Sequence, residues 1–425
     1  MLLNSDLEII EFFIDSILFV LQFIIVPVAI YLFVISIFGW VKRKEESADN
    51  YSPVNRFAVV VAAHNEEKVI GNIVRNLTKL DYPADLYDIF VIADNCSDNT
   101  CKIAKENGAI AFERFDDKKK GKGFALEWMF DKIFKMEKHY DAVCVLDADN
   151  LVSLNFLKEM NKQLCKGHKV IQGYLDSKNP SDSFIAASYS ATFWTNNRIF
   201  QLARYYLGLS CVLGGTGFVV ATDLLKEIGW GATSLTEDLE FTIKLVLKGE
   251  KVYWSHEAVV YDEKPLTMKQ SWRQRKRWMQ GQADCACRYF KALLSKAIKE
   301  KDIVAFDNAV YVVYPLFVVL GGLVMIGNFL KLVFFTDVTE ILDIRFAYAI
   351  IMFLITTYMG IIFIALEGKL SWKILGYYIL YPFYNITWIP IMIQGYKDRN
   401  KKEWVHTLHT RALDINDIGN LRKAG

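Results

Sequence analysis

The 425-residue sequence predicts a wound α/β domain with a mostly parallel sheet, combined with α-helical transmembrane segments. Three observations lead there. Short apolar runs alternate with helical patterns between Arg56 and about Ser255, which reads as strand and helix in turn. Acidic residues close two of those runs, Asp94 one and Asp147 with Asp149 another, at the strand ends where a wound sheet binds its ligands. Finally, 53% of the residues are hydrophobic at a mean hydropathy of +0.18, yet 23% are charged. That is too apolar for an ordinary soluble protein and too charged for one wholly within a membrane.

The elements follow in order. Residues 1–50 read as a membrane anchor, because the apolar run from about Ile17 to Val41 is preceded by Asp6, Glu8, Glu11 and Asp15 and followed by Lys42, Arg43 and Lys44. That asymmetry puts the N-terminus outside and the next domain in the cytosol. The start is not basic and lacks a small-residue cleavage site, so the segment is not a signal peptide. Residues 51–265 form the cytosolic domain: "FAVVVAA" then a helix over 67–80, "YDIFVIAD" then 99–107, "AVCVLDAD" then 155–166, and "KVIQGY" further on. Residues 266–303 read as amphipathic interfacial helices carrying "SWRQRKRWMQGQ".

Residues 304–396 hold apolar stretches near 308–335, 344–366 and 372–395, each long enough to span a bilayer. The basic tail 397–425, with Lys397, Arg399, Lys401, Lys402 and Arg411, belongs in the cytosol. Three crossings that start inside would leave it outside. Either the stretch containing Gly321 and Gly322 is two elements, or one segment only lies in the membrane.

The net charge of +2 gives no reason to expect a nucleic-acid partner. The seven cysteines are odd in number and form no CxxC pair, as expected of reduced thiols facing a cytosol. His406 and His409 lack a carboxylate to complete a metal site.

Four stretches carry chemistry. In "VLDADN", Asp147 and Asp149 appear as the chain leaves a strand, and two oxygen ligands so close suit Mg²⁺ or Mn²⁺; a solvated turn is the plain alternative. "SLTEDLEF" starts a helix on Thr236, Glu237 and Asp238. There Thr236 as cap and Glu240 as a further acid of the first turn compete with a carboxylate acting as general base. "KKKGKGFALEW" sets Lys118, Lys119, Lys120 and Lys122 among glycines ahead of a helix, either a phosphate cradle or a solvated lysine turn. On a helix, Gln274, Arg277 and Trp278 share one face, an order that a purely electrostatic anchor would not need.

Taken in order, "VVVAAHNEE", "ADNCSDNT", "GKGFAL", "LDADN", "GGTG", "TED" and "QRKRW" resemble the membrane-embedded processive glycosyltransferases of family 2, the synthases of cellulose, mixed-linkage glucan, chitin, hyaluronan and poly-N-acetylglucosamine. The resemblance covers about Phe57 to Gln282. It implies a GT-A fold in the cytosolic domain, a plasma-membrane multi-pass location, and inverting transfer from a UDP-sugar to a growing β-linked polysaccharide. The expected sugar is glucose and the product a β-1,4 or mixed β-1,3/β-1,4 glucan. Ala63, Asn65, Glu66 and Asp94 would bind the nucleotide, with Lys122, Asp147, Gln274 and Arg277 completing the nucleotide-sugar site. Asp149, with Asp147, would hold Mg²⁺ or Mn²⁺. Asp238 would be the base, with Glu237 and Thr236 beside it in the catalytic motif. Gly215, Thr216, Gly217 and Trp278 would meet the acceptor.

Implied partners are the bilayer, the polymer, and accessory export or cell-wall proteins, with Trp194, Tyr314, Tyr381 and Trp388 offered as stacking platforms. One departure stands out: Ala93 occupies the first of two usually adjacent acids. A fused cyclic-dinucleotide sensor is not expected. The rival readings are a non-processive enzyme adding one sugar to a lipid carrier, and an idle domain serving as a scaffold.

In "SWRQRKRWMQGQ" this reading assigns Arg273, Arg275 and Lys276 to an anionic membrane surface and the other face to the substrate. Arg275→Ala is accordingly expected to be mild.

Overall fold

The computed structural model describes residues 2–231, 233–334, 358–401, 413–415 and 417. Helix α1 (Leu2–Ile37) leads into an eight-stranded sheet: β1 (Phe57–Ala63), β2 (Tyr87–Asp94), β3 (Ile110–Arg114), β4 (Ala142–Asp147), β5 (Leu151–Val152), β6 (Val170–Ser177), β7 (Phe218–Ala221) and β8 (Tyr253–Asp262). Between strands lie α2 (Ile70–Leu77), α3 (Thr100–Glu106), α4 (Lys122–Ile133), α5 (Phe156–Cys165), α6 (Phe184–Asn196), α7 (Ala203–Tyr206), α8 (Thr222–Ile228) and α9 (Glu237–Leu247). The long helices α10 (Met268–Lys299) and α11 (Ile303–Phe334) follow, then α12 (Gly360–Leu366), α13 (Trp372–Tyr378), α14 (Tyr381–Ile386) and α15 (Trp388–Lys397).

The strand order is β3-β2-β1-β4-β7-β6-β8-β5. "FAVVVAA" reads as a continuous apolar run because both faces are covered. Ala58 and Val60 face a core that includes α4, while Phe57, Val59 and Val61 face α2 and α5. Each of these valine and phenylalanine side chains contributes about 1.5–3 kcal/mol on burial. Helix α2 buries Ile70, Ile73, Val74 and Leu77, a stripe of one face at helical spacing.

Most strand pairs are parallel, as the sequence predicts, β6 with β8 among them, but the sheet also has antiparallel members. Strands β1 to β4 pair in parallel, but β7 runs antiparallel to both β4 and β6, and β5 antiparallel to β8. The cause is the glycine-rich loop Gly214–Gly217. It enters at the end of the sheet where β4 finishes, with Gly217 N–H donating to Val145 O at 2.8 Å, so the chain must run back.

Among the described residues, two helices are long and apolar enough to cross a membrane, over Ile10–Ile37 and Ile303–Lys331. Their outer side chains are uncovered, Phe19, Phe23, Leu316 and Phe329 among them. Helix α11 runs unbroken past Pro315, Gly321 and Gly322, so that stretch is one element. The stretch 372–395 is instead three short helices, interrupted at 379–380 and at Thr387, and offers no continuous span. Pro382, lacking an N–H, stands at the start of α14 where none is needed. Residues 344–357 of the remaining stretch, together with Lys402, His406, His409 and Arg411, lie outside the described residues.

Candidate active site

The carboxyl ends of β1, β2 and β4 form one rim. Ala63 closes β1, and Asn65, at φ 54°, accepts from Ser97 N–H at 2.8 Å, tying the loops after β1 and β2 together. Glu66 is buried, its N–H donating to Thr100 Oγ1 at 2.8 Å. Asp94 closes β2 and pairs with Arg114 at the end of β3. Arg114 also donates to Lys119 O at 2.8 Å, so it staples the lysine loop to the nucleotide side. Sequence reasoning missed Arg114; its signal was a cation closing the run "IAFER".

Of the four loop lysines, Lys118, Lys119 and Lys120 are exposed and Lys122 turns inward from the first position of α4. Its ammonium bonds the Asp147 carboxylate and donates to Gly215 O at 2.7 Å. Burial works against the charge on Lys122, but Asp147, Glu237 and Asp238 outweigh it and raise its pKa, so the amine is a cation.

Asp147 and Asp149 are held by their surroundings. Asp147 N–H is shared between Asn150 Oδ1 and Thr216 Oγ1, both at 3.0 Å, and Thr216 donates its hydroxyl to Asn150. Asp149 accepts from Asn150 Nδ2 and Glu263 N–H, each at 3.2 Å. Among the described residues no three His, Cys, Asp or Glu gather to hold a metal by themselves. Two carboxylates one residue apart do fit a hard divalent ion that fills its shell with water and substrate phosphates. Thr216 is buried, and its hydroxyl serves this loop. Gly215 and Gly217 take φ of 81° and 66°, which favour glycine. Gln172, buried in β6 and also missed, secures them by accepting from Gly214 N–H at 2.9 Å and donating to Thr216 O at 2.9 Å.

Across from Gly215 lies Asp238, whose pKa is pushed up to about 7, first by burial and then by the charge of Glu237. Thr236 precedes α9 but does not cap it. Its buried hydroxyl has no hydrogen-bond partner and lies against Gly281, correcting the capping expectation. Nor is Glu240 merely one acid of a first turn. Fully buried, it accepts from Thr233 and Ser234 N–H at 2.7 Å, Arg288 at 2.6 Å and Tyr289 Oη at 2.7 Å. These bonds fasten the loop before α9, and with it the first turn that carries Asp238, to α10.

Helix α10 begins with a capping box between Thr267 and Gln270. Gln274 accepts from Tyr189 Oη at 2.8 Å, and the Trp278 ring stands edge-on to Tyr189 and Phe193 at 5.9 and 6.2 Å. Arg277 is half-buried and its charge acts on Asp238. The assignment of the opposite face needs correction. Arg273 is exposed, but Arg275 is fully buried, with its guanidinium over Tyr384 at 4.3 Å and Trp388 at 4.8 Å and donating to Thr387 Oγ1 at 2.9 Å. Lys276 pairs with Asp398. Trp194 is core, its Nε1 donating to Asp176 at 2.7 Å, and is no platform. Trp388 is engaged with Arg275, and Tyr381 stacks on Tyr378 at 4.4 Å.

Residues 53–281, just over half of the chain, match the model of the glycosyltransferase like family 2. The chain belongs to this family. Among this glycosyltransferase's relatives is a probable glycosyltransferase YdaM of Bacillus subtilis, 27% identical over 69% of this chain and 75% of the relative. A β-monoglucosyldiacylglycerol synthase of Synechocystis is 30% identical over 54% of this chain, but the match spans only 48% of that protein. A poly-β-1,6-N-acetyl-D-glucosamine synthase of Staphylococcus epidermidis is 23% identical over 76% of this chain and 82% of the relative. A mannosyltransferase from Pyrobaculum calidifontis, solved with GDP-mannose and Mn²⁺, shares the fold at a TM-score of 0.59 and 16% identity, over 92% of this chain and 100% of that one. The GT-A architecture is thereby established for the glycosyltransferase, and the site lies at the sheet end where such folds bind ligands.

Proposed function

We propose that the glycosyltransferase is a membrane-held, processive, inverting polymerase that extends a β-linked glucan, β-1,4 or mixed β-1,3/β-1,4, from UDP-glucose and passes it across the bilayer. The observation that carries this reading is the convergence of Lys122, Asp147, Gly215 and Asp238, with a carboxyl group poised near neutrality opposite a half-buried cation. Asp238 takes the proton of the acceptor hydroxyl as its oxygen bonds the anomeric carbon. The bond from that carbon to the diphosphate breaks on the opposite face, its electron pair leaving with UDP, and the configuration inverts. Lys122 and Arg277 neutralise the departing diphosphate, and one such base suffices for inversion. Asp147 and Asp149 would hold Mg²⁺ or Mn²⁺, which supplies further charge neutralisation to the diphosphate.

Support for a chain acceptor comes from Trp278, set among Tyr189 and Phe193 beside Gln274, a ring face suited to a sugar. The relative named as a poly-N-acetylglucosamine synthase agrees with it. A second reading, one sugar transferred to a lipid, is favoured by the relative named as a β-monoglucosyldiacylglycerol synthase.

The experiment supplies purified protein in nanodiscs with labelled UDP-glucose, UDP-N-acetylglucosamine or GDP-mannose and Mg²⁺ or Mn²⁺, and sizes the product. A high-molecular-weight, glucanase-sensitive product from UDP-glucose is expected, lost on chelation and restored by the ion. Short chloroform-soluble products would decide for the lipid reading.

A further inference from the structure

The segment from Ser371 to Asp398 is apolar enough to have been read as a crossing, yet both of its ends are fastened to the catalytic side of the molecule. Just before it, Lys369 donates to Asp176 at 2.7 Å, and Asp176 is a fully buried residue of β6. Glu367 pairs with Arg198 at 2.6 Å and with His256 of β8 at 3.2 Å. The turn around Gly368 is therefore plugged into the glycosyltransferase domain. At the other end Asp398 pairs with Lys276, and its carbonyl accepts from Gln280 at 3.0 Å, both on α10. Along the way Trp272 of α10 donates to Gln394 at 3.0 Å, and Arg275 is clasped by Tyr384 and Trp388.

Lengths agree. The three helices have 7, 6 and 10 residues, and at about 1.5 Å per residue none approaches the ~30 Å hydrocarbon core. The segment nevertheless has a buried apolar side and a bare one, the latter including Ile379 just beyond α13. Ile374, Tyr378, Tyr381, Tyr384, Ile391 and Met392 pack inward, while Trp372 and Ile379, Phe383 and Ile386, and Ile393 and Tyr396 are exposed at spacings of seven or three residues. Lys373 and Lys397 are exposed within this segment, and Arg273 is exposed on α10 next to Trp272, which bonds Gln394. A segment with a bare apolar face and exposed cations, packed through Ile391, Met392 and Trp388 against Val318 and Val319 of the long apolar helix α11, suits the headgroup boundary of an anionic leaflet.

We infer that residues 371–398 do not cross the membrane but lie in its cytosolic leaflet, apolar faces down, and that this lipid-supported shelf holds α10 and its Gln274–Arg277–Trp278 face over the site. The inference rests on the membrane-held part of the proposed function and on neither the sugar nor processivity. It also reconciles the basic tail with the positive-inside rule, since the tail then starts in the cytosol.

The test uses full-length protein in which Cys96, Cys165 and Cys287 are serine, carrying Lys373→Cys, Asn400→Cys or, as a cytosolic reference, Lys118→Cys. Membrane-impermeant maleimide is applied to inside-out and right-side-out vesicles. All three positions are expected to react only in inside-out vesicles; reaction of 373 and 400 from opposite sides would overturn the inference while leaving the proposed reaction standing. A Phe383→Cys variant with an environment-sensitive fluorophore is expected to be quenched by lipids bearing a shallow quencher. Loss of that quenching, with the fluorophore dark as in water or covered by a protein partner, would equally overturn it. Release of the chain by alkaline carbonate would remove the membrane-held reading as well.

Discussion

Asp238 Oδ2 stands 3.3 Å from the point where a Cβ would project from Gly215, and Gly215 holds a φ of 81° while its carbonyl takes the Lys122 ammonium at 2.7 Å. Base, cation and glycine are thus mutually fitted. Gly215→Ala would strain the backbone and crowd the carboxylate together. A fall in kcat of tenfold or more is expected, with a melting temperature only a few degrees lower; turnover and thermal denaturation measure the two.

The acidity of Asp238 predicts a pH profile. Burial and the Glu237 charge raise its pKa to about 7, and the base works only when ionised, so kcat should rise through pH 7 and then level. Removing the neighbouring charge with Glu237→Gln should move that limb to lower pH. An unmoved limb would assign it to another group.

Stability carries the opposite sign. The folded protein binds the Asp238 proton more tightly than the unfolded chain, whose carboxyl titrates near 3.8, so ionisation between about pH 4 and pH 7 works against folding. Asp238→Asn is expected to abolish synthesis yet melt higher than wild type at pH 8, with the gain vanishing at pH 4.

Arg275 is expected to be severe where the sequence suggested it would be mild. Arg275→Ala empties a buried site between Tyr384 and Trp388 and leaves Thr387 without its donor, a loss of order 3 kcal/mol. Arg273→Ala, exposed, should stay within about 0.5 kcal/mol. Paired melting curves in one detergent compare them.

Glu240→Ala should uncouple the first turn of α9, with Asp238, from α10. Two backbone donors and Arg288 lose a fully buried acceptor, which costs of order 3 kcal/mol. A drop in kcat that exceeds the drop in donor affinity would mark Glu240 as a positioning residue.

Much of the site was legible because its pieces are local. Asp94 and Asp147 close apolar runs, Lys122 follows a glycine at a helix start, and Asp238 sits in an acidic first turn; each needs only short-range pattern. What failed at several positions was reading burial from residue type alone. Arg275 lies within a run of cations, and nothing within "WRQRKRW" distinguishes it from Arg273, because the two rings that cover it are more than a hundred positions away. Trp194 looked available and is core, since Asp176 supplies the partner its indole N–H needs.

Strand-ending acids, apolar runs and helix starts are set by interactions spanning a few residues, and those the chain determines by itself: an α/β domain, its order of elements, and which carboxylates stand at its rim. The sense of β7, the clasp on Arg275, the Asp94–Arg114 pair, and the anchoring of residues 371–398 at both ends to one side were decided only by tertiary packing. Each depends on a partner brought near by the fold, and a hydrogen bond or ring contact acts over a few ångströms of space, whatever the separation along the chain.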